Sequence, residues 1–169
     1  MSHGRLTGAE RVMVPATLWL SFLANDGEEL LTMARTRDLP QRHVEVAVAA
    51  MGLLCGAAVV DGWRTAGAGR LYQDVQLVFG LHGYVHVAES LVTRSYASGV
   101  LTSPTVVIPQ GLWARSRLAR VGVPTTSRPL RAAVLVGGWL AVAHALGAMS
   151  SRAHSPARDG HRARSRTSM

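Results

Sequence analysis

The chain has 169 residues, 48% of them hydrophobic and only 17% charged, with a formal net charge of +8. The length suits one domain, and apolar residues gathered in long blocks with charges at their ends exclude an ordinary soluble fold. All 18 basic residues are arginine, and they fall between the apolar blocks rather than on a basic face interleaved with aromatics, which excludes a nucleic-acid partner. Cys55 is the single cysteine, set among Met51, Leu53 and Leu54, so it reads as a buried, inert thiol with no intrachain disulfide or thiolate cluster.

In chain order, residues 1–10 form a short polar lead. The first apolar block, about 11–34, holds Asn25-Asp-Gly-Glu-Glu29 and no small-residue cleavage site, so it is expected to be retained as a helix. Arg35 to His43 is a charged loop in which Asp38-Leu39-Pro40 ends one helix and starts the next. The second block spans about 44–63 and the third about 71–93, the latter broken by His82, His86 and Glu89. A shorter block, about 99–114, contains Pro104 and Pro109 and is either a fourth span of five or a re-entrant piece. Arg115 to Pro129 reads as a basic loop, and about 131–149 as the last helix, with Gly137-Gly138 as a close-packing point. The Ser/Arg-rich tail, 150–169, is expected to be disordered. Trp63 and Trp113 fall at block ends, where interfacial aromatics belong.

A spanning helix needs about 20 apolar residues. The predicted fold is therefore all-α: an integral membrane bundle of five transmembrane helices, with four plus a re-entrant segment as the alternative. With five spans the arginines divide nine against nine, so orientation is undetermined.

Ionisable residues within a spanning helix are costly, so they point to function. At 100° per residue, Ser21, Asn25, Glu28, Glu29 and Thr32 share one face of the first helix, with Asp26 at its edge. His82, His86, Glu89 and Thr93 share one face of the third, and the last helix carries His144. Helices one, three and five run parallel if the fourth block spans. Glu28 and Glu29 then lie roughly 10 Å past mid-helix, Glu89 roughly 10 Å, and His86 and His144 roughly 6 Å, in one layer.

Two chemistries fit this set. Imidazoles at i and i+4 with facing carboxylates chelate a divalent metal, zinc or iron, with His82, His86, Glu28 and Glu29 as candidate ligands. Without metal, a carboxylic acid in a dry pocket protonates an alkene or epoxide while a His or second carboxylate takes a proton elsewhere. A bis-His haem fits poorly, because His82 and His86 lie on one helix face. The bland alternatives are interfacial Glu28 and Glu29 paired with Arg35 or Arg37, Glu89 paired with Arg94, packing roles for His82, His86 and His144, and interfacial Glu45 and Asp61.

The run Leu23-Ala-Asn-Asp-Gly-Glu-Glu-Leu-Leu-Thr-Met33 resembles the signature of the HXXEE-motif integral membrane proteins, bacterial proteins of mostly unknown function. Arg94-Ser-Tyr-Ala-Ser-Gly-Val-Leu-Thr102 resembles the stretch that follows their third helix. By this resemblance, over roughly 10–150, Glu28 and Glu29 match the paired glutamates and His86 a later histidine. Asn25 stands in place of the motif's first His, and His82 stands at or beside the family's Asn. The resemblance implies a multi-pass protein of the bacterial plasma membrane and metal-dependent chemistry, though the missing first His tilts this chain toward acid–base work.

The resulting expectation is a membrane-embedded enzyme for isomerisation, cyclisation or hydrolysis of a lipid or isoprenoid-like substrate. Glu28, Glu29, His82, His86 and Asn25 are the leading site residues, with Glu89, His144 and Asp26 in second rank. The cofactor is either a divalent metal or none. Partners are the lipid bilayer and a hydrophobic small molecule, not nucleic acid, and the oligomeric state is undetermined. The alternative is a non-enzymatic membrane protein that binds a lipid or small molecule or serves as a subunit of a membrane complex.

Overall fold

The apolar blocks fold as helices and the charged stretches as turns. In the computed structural model, which describes residues 4–123 and 128–153, the elements are α1 (Glu10–Thr36), α2 (Gln41–Thr65), α3 (Arg70–Thr93), a π-helical turn (Ser103–Val107), α4 (Ile108–Arg120) and α5 (Pro129–Ala153), with no strand among the described residues. The described residues form an all-α fold of five α-helices. Two of them, α2 and α5, are long and apolar enough to cross a membrane.

The turns follow from local chemistry. Pro40 precedes α2 in an extended conformation and Ala66 ends that helix in the left-handed region. Asp61 Oδ2 accepts the Tyr72 backbone N–H at 3.0 Å, so this carboxylate serves an otherwise unpaired donor in the first turn of α3.

The fourth element departs from the predicted 99–114. It begins at Ser103, and α4 continues to Arg120, so Arg115, Arg117 and Arg120 are helical rather than in a loop. Proline explains the irregular start. Pro109 has no N–H to donate and its ring crowds the carbonyl four residues back, so the ladder widens there and Ile108 N–H bonds to Ser103 O instead. The segment does not turn back on itself. It packs at Gly83 through Val107 and Ile108 and reaches the start of α1, where Arg117 Nη1 meets Glu10 Oε1 at 2.9 Å.

Successive helices therefore alternate in direction. Arg117–Glu10 and Arg131–Asp74 lie at one end, and Thr32–Ser98, Arg42–Ser150 and His43–His144 at the other. Helices α1, α3 and α5 run parallel, as the depth argument requires.

The core is Val14, Leu18, Phe22, Cys55, Ala58, Val59, Tyr72, Val75, Ala114 and Leu118. Leu6, 2% exposed, joins it, so the lead is packed rather than a free polar stretch, and residues 1–3 lie outside the described residues. Gly137 and Gly138 meet nothing and are not a packing point; Gly147 is, since a Cβ there would stand 2.5 Å from the His43 carbonyl. Residues 150–153 belong to α5, and the rest of the predicted tail lies outside the described residues.

Every helix also shows large apolar side chains outward: Leu20 and Leu31, Leu53, Leu91 and Val92, Leu112, Leu130 and Val134. Polar groups turn inward. Asp74, 1% exposed, meets Arg131 at 2.5 Å and ties α5 to α3. Asp74→Ala should destabilise the protein by about 2 kcal/mol by removing the buried acceptor of that half-exposed guanidinium. Denaturant titration in detergent would show a lowered midpoint, partly recovered by Arg131→Leu in the same chain. An unchanged midpoint would mean that the pair does not hold α5.

Candidate functional site

Residues four apart on a helix stack on one face, and this places Asn25 over Glu29 on α1 and His82 over His86 on α3. The four side chains meet at one oxygen. Glu29 Oε1 accepts from Asn25 Nδ2 at 3.1 Å and lies 2.9 Å from His86 Nε2 and 3.4 Å from His82 Nε2. The two imidazole Nε2 atoms are 2.7 Å apart. Among the described residues this is the group whose ligand atoms converge closely enough to hold a metal ion.

Exposure is graded across the cluster. The side chains of Glu29 and His86 are 8% and 5% exposed, that of His82 38%. An aromatic row, Trp19, Phe22 and Phe79, lies below it, with Phe79 centred 6.4 Å from His82.

Both chemistries need the His86 proton placed. His86 Nδ1 is buried and has no hydrogen-bond partner among the described residues. A metal on Nε2 would put the proton on Nδ1, where ligating histidines need an acceptor. An unpaired buried N–H costs about 1–3 kcal/mol. With the proton on Nε2, His86 instead donates toward Glu29 and His82, and Nδ1 is a bare nitrogen. The ligand atoms also sit slightly tighter than the roughly 3.3 Å separation around a tetrahedral zinc with 2.0–2.1 Å bonds.

The remaining predicted residues lie elsewhere. Glu28 faces the Arg94–Thr102 stretch: Oε1 accepts from the Tyr96 hydroxyl and the Leu101 N–H, and Oε2 from the Thr102 N–H at 2.9 Å and hydroxyl at 2.7 Å. Asp26 is buried outside the converging atoms. Glu89 pairs with Arg37 at 2.6 Å, not with Arg94. His144 Nδ1 lies 2.9 Å from His43 Nε2 on α2, so it forms a second histidine pair instead of joining the first. His43 was unforeseen; the available signal was a histidine near the start of α2, level with the polar layer. Tyr96, Ser98 and Gly99 were likewise unmarked as site neighbours, although Ser98 Oγ lies 2.6 Å from Thr32 Oγ1.

The architecture is thus an all-α bundle with a buried carboxylate set against two imidazoles. The family model for proteins of unknown function with an HXXEE motif matches residues 13–114, and the chain belongs to that family. Here the motif reads Asn25-x-x-Glu28-Glu29. No curated protein and no solved structure matches the chain.

Partial burial, then the bond to the Glu28 carboxylate, raises the Tyr96 phenol above its ordinary range. The phenol therefore stays protonated and donating at neutral and mildly alkaline pH, and the bond is lost as pH rises through the raised value. Ultraviolet titration should show Tyr96 ionising later than a free tyrosine, and Glu28→Gln should bring it down. Ordinary titration in the wild type would contradict this geometry.

Proposed function

We propose that the protein is a membrane-embedded enzyme that transfers protons on a lipid-soluble substrate, catalysing isomerisation, cyclisation or hydrolysis. The observation that carries this reading is the ordered series from a buried Glu29, through a buried His86, to a half-exposed His82. Glu29 accepts from the His86 Nε2–H and holds that neutral ring in place. His82, the half-exposed imidazole, takes a proton from the substrate and returns it at a second position, and the Glu29 carboxylate balances the imidazolium that forms in between. Asn25 holds the Glu29 oxygen in place.

The outward apolar faces of all five helices support a multi-pass membrane setting, in which such a site meets substrate from the hydrocarbon phase. A second reading, a metal-assisted hydrolase, draws support from the convergence of Glu29 Oε1 and the two Nε2 atoms. Those three would be the ligands, and the ion would supply Lewis acidity. The 2.7 and 2.9 Å separations, hydrogen-bond lengths shorter than the roughly 3.3 Å between ligands of a tetrahedral zinc, favour the metal-free form.

The test compares wild type with Glu29→Gln and His86→Ala in detergent on extracted membrane lipids, read by mass spectrometry. The wild type should consume a lipid species, and both variants should lose that turnover by about 100-fold or more while extracting and melting normally. Variants that fail to fold would make the cluster structural glue, and variants that retain turnover would also end the proposal. Metal analysis of the same samples separates the two readings: stoichiometric zinc or iron lost in His86→Ala would establish the metal form.

A further inference from the structure

We infer that Glu28 is a positioning residue, latching the Arg94–Thr102 segment over the cluster so that Gly99 holds the His86 imidazole against Glu29. The two glutamates of the motif then divide the work: Glu29 faces the imidazoles and Glu28 fastens what covers them.

The latch is a single carboxylate that accepts four hydrogen bonds from the segment, two from backbone N–H groups and two from hydroxyls. Bonds to a charged acceptor are about twice as strong as neutral ones. The Thr32–Ser98 contact is a second fastening on the same face of α1. The segment leaves α3 through a left-handed turn at Arg94, whose N–H bonds to Ser90 O, and closes at Ser103, whose N–H and hydroxyl both donate to Gly99 O, at 3.0 and 2.7 Å.

Between these points Gly99 lies directly on His86. Its φ is +85°, and a Cβ there would stand 2.9 Å from Nε2 and 3.0 Å from Cδ2 and Cε1. Only glycine meets both constraints, the left-handed backbone and the close approach. The Gly99 backbone therefore rests on the part of the ring that faces Glu29. His82, four residues earlier, remains 38% exposed. The latch also reaches Asn25: the Thr102 hydroxyl is 2.7 Å from Glu28 Oε2 and 3.2 Å from Asn25 Oδ1. The inference rests on the acid–base reading only for why holding His86 matters; the positioning itself does not depend on it.

Ethoxyformylation of the histidines tests this, with diethyl pyrocarbonate on the full chain in detergent and sites mapped by tandem mass spectrometry. In the wild type, His82 should react and His86 should be protected. Glu28→Ala should speed His86 modification by about tenfold or more, the equilibrium worth of one or two charge-assisted hydrogen bonds. Tyr96→Phe and Thr102→Ala, which each remove part of the latch, should give smaller increases and carry the test if Glu28→Ala does not fold. The His43–His144 pair should react at its wild-type rate throughout. His86 still protected in folded variants, or all four histidines rising together, would overturn the inference. No turnover is read, so either result leaves the acid–base reading to its own test.

Discussion

The structure turns on one buried carboxylate. A charged Glu29 away from water is tolerable only if its oxygen is satisfied, and the partners come from two helices, Asn25 on α1 and the imidazoles on α3. The backbones of α1 and α3 scarcely touch, so these side chains bridge the gap between them. The polar layer is thus both the seam between α1 and α3 and the place where chemistry is available.

Asn25 makes the family departure intelligible. Where the motif has histidine, this chain places an amide that donates to Glu29 Oε1 at 3.1 Å, and His82 approaches the same oxygen at 3.4 Å from the other side. Asn25 and His82 therefore meet at the same carboxylate oxygen. An amide in this position still orients the carboxylate but does not titrate.

Much of this was legible in the sequence because helical period and depth are properties of one-dimensional spacing. The stripes on α1 and α3, their common level and the buried Cys55 all follow from counting residues, whereas the parallel run of α5 hung on whether the fourth block spans. What spacing does not encode is which way a side chain at the edge of a stripe turns. Glu28 and Glu29 are adjacent, so they point 100° apart, and only the path of the 94–102 segment decides that Glu28 meets backbone donors there. His144 was legible in depth but not in partner, since His43 lies on the far side of a loop that reads as merely charged. The fourth helix was expected, but not its bounds: three arginines after residue 114 read as a loop, while a π turn absorbs the prolines and the helix extends through those arginines.

On the proposed acid–base reading the cluster handles a proton rather than a permanent ion, and the His86 tautomer decides between the two. Nitrogen-15 NMR of histidine-labelled protein in lipid bilayers, with His86 assigned by its loss in His86→Ala, reads the two ring nitrogens directly. A protonated Nε2 and a bare Nδ1 are expected. A protonated Nδ1 with a metal-shifted Nε2 would contradict that reading.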